Sequence, residues 1–181
     1  MKKQTLAITI PALVIVLGLS QSCLSHDETH ERATRIGVYD SRAVAVAFSG
    51  SPTHEAQLAE LHTAFREAEE TGDAAAAAQL EAEANARQAK AHAQAFSTAP
   101  VDEILALIPE SLAEIQETAG VTVLVSKWDE AALKEYEGAE TVDLTPALVD
   151  ALHPTERQRK SAMEIQRHRP IPLEQAGSIS D

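Results

Sequence analysis

The side chains of this chain that could do chemistry are seven histidines, one cysteine and 28 carboxylates. His26 and His30 stand four apart in His26-Asp27-Glu28-Thr29-His30-Glu31, a spacing that would put both rings on one helix face, where they could share a metal ion. A zincin helix, however, carries Glu directly after the first His and draws a third ligand from further along. Here Asp27 follows, and no apolar face backs the segment, so it is read as a solvated linker. His54 and His62 lie eight apart on a helical stretch, too distant along the axis to share a metal without a residue between them. His92 falls on the next one. The sequence has no Gly-rich phosphate loop, no Gly-x-Ser-x-Gly elbow and no paired-Cys motif. Its carboxylates recur at helical spacings on polar faces, as solvation alone would produce. No catalytic residue, metal site or cofactor is expected, and the chain is not read as an enzyme.

Cys23 directs attention to the N-terminus. Lys2 and Lys3 precede an apolar run from Leu6 to Leu19, and Ser20-Gln21-Ser22 supplies a small-residue exit, the three parts of a secretory signal over residues 1–22. The run is shorter than the ~20 residues a membrane span needs. Cys23 follows directly and is the candidate lipidation site of a lipoprotein attached to the outer membrane. The lipobox is imperfect, because Ser20 stands where that motif wants Leu. Ordinary cleavage leaving a free thiol stays open beside it. With a single cysteine no intrachain disulfide can form. The expected localisation is the periplasm.

Charge narrows the partners. The net charge is −13, and −15 once Lys2 and Lys3 leave with the signal, so nucleic acid and anionic lipid surfaces are poor partners. Aromatic residues make up 3% of the chain, which excludes a large aromatic core.

These features are set by the elements that carry them. Residues 23–34 are polar and aperiodic, a tether. Arg35 to Asp40 alternates like a short strand, and Asp40 or Ser41 caps a helix through Phe48. From Pro52 to Ser97 the chain reads as two helices folded back at Thr71-Gly72-Asp73. Leu58, Leu61, Phe65 and Ala68 form one apolar seam, and an alanine-rich return arm holds Leu80 and Phe96. Val101, Ile104, Leu105, Ile108, Leu112 and Ile115 make a helical stripe that Pro109 should kink. Val121 to Val125 and Glu140 to Leu144 read as strands, with Trp128 to Tyr136 ambiguous between them. Thr145-Pro146 caps and opens a helix carrying Leu148, Val149 and Leu152. Residues 153–181 read as a basic, partly disordered tail, with five cationic side chains against Glu156 and Glu164 over 154–170. The fold class expected is α+β: a small β-sheet body with a protruding antiparallel α-helical hairpin.

The order of these elements resembles the OmpH/Skp family of periplasmic chaperones over residues 35–152. The matching pieces are Ile36-Gly37-Val38-Tyr39-Asp40, Val121 to Val125, and Val142-Asp143-Leu144-Thr145 followed by Leu148, Val149 and Leu152. The resemblance implies a homotrimer in which short strands pair between protomers, with the arms enclosing unfolded outer-membrane proteins without ATP. Candidate client-binding residues are then Leu58, Leu61, Phe65, Leu80 and Phe96, the first three of which also suit packing between the arms. Two features depart from the family. Residues 51–99 hold eight acidic residues against Arg66, Arg87 and Lys90, whereas the family's chaperone arms are basic. The arms are also short, about 30–35 Å. Two alternatives are an envelope scaffold protein without chaperone activity, lipid-anchored through Cys23, and a metal-binding envelope protein using the histidines.

Overall fold

The computed structural model describes residues 35–176 and 179. Its architecture follows from one short helix, α1 (Ser41–Phe48). Ala and Val fill it on all sides, so it has no face to give to water, and Ser41, Arg42, Ala43, Val44, Ala45 and Ala47 are all buried. A helix apolar all round must be covered all round. Around α1 pack α3 (Ala74–Phe96), α4 (Asp102–Leu105), α7 (Thr145–Ala151) and α8 (Glu156–Ile165). Its alanines keep it thin enough for such close approach. Gly50, just past its end, matters for the same reason: a Cβ there would overlap the side chain of Gln158 on α8. Val44, Val101, Ile104, Leu148, Val149 and Ala162 complete this core, each at most 2% exposed.

The strands are short: β1 (Arg35–Tyr39), β2 (Leu124–Ser126) and β3 (Glu140–Asp143). All pair parallel in the order β2-β1-β3, with Val38 opposite Val125 on one side and Asp143 on the other. Parallel neighbours need long crossovers. The β1-to-β2 crossover contains α1, α2 (Pro52–Thr71), α3, α4 and α5 (Pro109–Ala119), while α6 (Glu130–Glu135) lies between β2 and β3. Helix α2 starts with Ser51 Oγ accepting from His54 N at 3.2 Å and ends at Gly72, whose φ of 69° few other residues adopt without strain. Asp73 then caps α3 through Ala76 N at 3.0 Å.

The expected fold class is corrected. About 65% of the described residues are helical, and the sheet is a small three-stranded parallel one within a single chain, in place of a sheet body bearing an antiparallel helical hairpin. The physical reason is that the core forms around α1, with helices supplying most of its walls. α3 is also bound into that body: its C-terminal part packs on α1 and on α9 (Leu173–Ala176), and buried Gln94 donates to Pro100 O at 2.7 Å. The strands pair inside one chain, where pairing between protomers was expected.

Smaller differences have local causes. The strand expected at 121–125 is confined to Leu124–Ser126, because Val121 N instead closes the end of α5 on Gln116 O. The kinked helix is two helices, parted over Ala106 to Ile108 ahead of Pro109. Thr145 does not cap α7. It is the helix's first residue, and its hydroxyl accepts from Asp40 N at 2.9 Å. The chain beyond Pro154, expected as a frayed basic tail, forms α8 and α9, with Ala162 and Ala176 fully buried. Among the described residues no helix is long and apolar enough to cross a membrane.

Candidate functional site

Where β1 ends, a buried charged cluster joins three parts of the chain. Asp40 and Arg42 are both 0% exposed. Asp40 Oδ1 accepts from Arg42 N at 3.0 Å, which caps α1, and from Trp128 Nε1 at 2.8 Å. Oδ2 accepts from Lys127 Nζ at 2.7 Å and from an Arg42 guanidinium nitrogen at 3.2 Å. That nitrogen also donates to Ile165 O at 3.2 Å, at the last residue of α8, and to His168 O at 2.9 Å, in the turn just beyond it. The Trp128 ring carries Arg42 at 4.5 Å and Lys127 at 4.8 Å from its centroid. Burial alone would raise the Asp40 pKa, but the hydrogen bonds from Lys127, Trp128 and Arg42 outweigh it and hold the carboxyl below its ordinary value. With both oxygens engaged by cations and donors, Asp40 is unsuited to take a proton from a substrate.

Beside this cluster a cavity of about 350 Å³ opens at the carboxyl ends of β1 and β2. Tyr39 and Ser41 come from the end of β1 and the start of α1, and Ser126 from the end of β2. Trp128 and Asp129 come from the turn after β2, Glu130 from the start of α6, Thr98 from the segment before α4 and Asp102 from its first residue. Burial first, then the Asp102 and Asp129 carboxylates, push the Tyr39 phenol up to about 12. The cavity therefore has a negative field and a phenol that stays protonated.

The residues expected to bind clients divide. Leu58 and Phe96 are each 38% exposed; Leu61 is buried at 8%, and Ala68, two turns further along the same seam, is buried too; Phe65 and Leu80 are half-buried. They are spread along α2 and α3 and form no single pocket. His54 stacks edge-on against Phe48 with centroids 5.1 Å apart, and burial, then Arg87, lower its pKa. Among the described residues no group of three or more side chains could hold a metal. Cys23, His26 and His30 lie outside the described residues.

Sequence reasoning noted Asp40 as a cap and missed the roles of Arg42, Lys127 and Trp128. A signal existed: both strand-like segments are followed at once by charged residues, Asp40-Ser41-Arg42 and Lys127-Trp128-Asp129. In a parallel sheet the carboxyl ends are where such residues meet. No family model, curated protein or solved structure matches the chain.

Proposed function

We propose that the chain is an ATP-independent holding protein of the periplasm that shelters unfolded outer-membrane or other envelope polypeptides along α2 and α3. The carrying observation is the surface of residues 52–96, where only Leu61, Ala68 and Gln94 are buried. The long outer faces of α2 and α3, which the core leaves uncovered, are kept for their surface. Leu58 and Phe96 offer separate apolar spots, and Ala59, Glu60, Thr63, Ala64 and Glu67 line an open trough of about 400 Å³ on α2. Shallow contacts of this kind suit an extended chain better than a folded ligand. The OmpH/Skp resemblance of residues 36–40, 121–125 and 142–152 supports the same reading. Assembly into a homotrimer belongs to it too, since the outer edges of β2 and β3 are unpaired among the described residues and open to a strand from another copy.

The test dilutes a urea-unfolded outer-membrane β-barrel into buffer with and without the protein and follows light scattering. Equimolar protein without ATP should suppress most of the aggregation, and Leu58→Ser with Phe96→Ser should weaken that effect. Unchanged scattering overturns the proposal in favour of an envelope scaffold, anchored through a lipid on Cys23. One observation favours that second reading: the chain's own C-terminal segment already occupies the base of α3, through Ile171 N on Phe96 O at 2.9 Å and the packing of α9.

A further inference from the structure

We propose that the cavity at the carboxyl ends of β1 and β2 is a binding site for a small organic cation, a ligand bearing an ammonium or guanidinium group. This inference is independent of the holding role of α2 and α3.

Topology comes first. From β1 the chain moves to β2 on one side; from β2 it returns past β1 to β3 on the other. Crossovers of parallel strands are right-handed, so two that run in opposite directions leave on opposite faces of the sheet. Between two such strands a crevice opens at their carboxyl ends, the general location of ligands in parallel sheets. The cavity lies there, and its volume of about 350 Å³ falls within the range of small-molecule sites.

Its lining then selects the ligand. Asp102, Asp129 and Glu130 contribute three carboxylates, and among the described residues no Lys or Arg lines the cavity. The neighbouring cations do not cancel them. Arg42 and Lys127 are both held on Asp40, which leaves that cluster one positive charge in excess. An anion would be repelled, whereas a cation gains from the field and from the hydroxyls of Ser41, Thr98 and Ser126. Tyr39 and Trp128 add aromatic surface for the ligand's carbon skeleton.

Ser41 gives an independent sign that something is meant to bind. It lies in the cavity wall at 1% exposure, and its Oγ is the one buried side-chain polar atom among the described residues with no hydrogen-bond partner. An unpaired buried hydroxyl costs free energy and calls for an explanation. A ligand donor or acceptor at this position supplies one.

Trp128 is the only tryptophan of the chain, so its fluorescence reports on this cavity directly. The full-length protein is titrated with agmatine, which carries one guanidinium and one ammonium group, and in parallel with glucose, citrate and potassium chloride at matched ionic strength. Agmatine should give a saturable change that the other three do not. Asp102→Asn combined with Asp129→Asn should weaken it by about tenfold or more, with the Asp129 cap on Ala132 N preserved by the amide. Ser41→Ala should weaken binding several-fold while leaving the melting temperature unchanged or raised, which a purely structural hydroxyl would not do. Absence of saturation with agmatine, equal saturation with glucose, or insensitivity to the Asp102/Asp129 double substitution each overturns the proposal.

Discussion

Arg42 serves two masters with one side chain. One side of its guanidinium meets the Asp40 carboxylate, and one nitrogen also reaches the carbonyls of Ile165, the last residue of α8, and of His168 beyond it. A charge this deep is tolerated because a carboxylate and two carbonyls answer it, with the Trp128 ring against its face. Asp40 depends on the same arrangement, and its depressed pKa makes that dependence measurable. As pH falls, the unfolded chain takes up the proton first, near the ordinary value of 3.8, while the folded carboxylate still resists. The stability this group contributes is thus complete above that value and is lost as pH falls from there through the folded pKa. Urea unfolding followed across acid pH should show a steep loss below about pH 4 in the native chain. Asp40→Asn, less stable at neutral pH, should show a flatter acid limb; equal slopes would show that other carboxylates govern the acid transition.

At the scale of the element, the turn between α2 and α3 rests on Gly72. Its φ is 69°, and nothing lies within 4 Å of where a Cβ would stand, so Gly72→Ala isolates the backbone cost. We expect a loss of about 1 kcal/mol in chemical denaturation, without change in the helical circular dichroism of the folded state. The position of this turn was legible in the sequence because capping is local: Ser51, Gly72 and Asp73 act within a few residues of themselves. β1 and the start of α1 were legible for the same reason. What could not be read is distant pairing. No local pattern tells Val38 that it will lie opposite both Val125 and Asp143, or Arg42 that its partners are Ile165 and His168. The Thr145 hydroxyl is instructive: the local rule made it a cap, and a strand end 105 residues earlier claimed it. The cavity escaped notice for that reason, its wall being assembled from three separate stretches.

Across the whole molecule, the described residues comprise a core gathered on α1 and the exposed lengths of α2 and α3. α8 is essential to the first, because it covers α1, buries Ala162 and lends its end to Arg42. A chain ending at His153 should therefore lose the cooperative thermal transition of the native protein, read by circular dichroism. Retention of a sharp transition would mean that α1 can be covered some other way.

The reach of Arg42 to His168 also bears on timing. Its two ends are 126 residues apart, so the stretch through His168 must be synthesised before the centre of the fold can close. Contacts this distant in sequence slow folding. The cover of α1 is therefore completed only by the helix and turn that reach His168, well after the rest of its wall is in place.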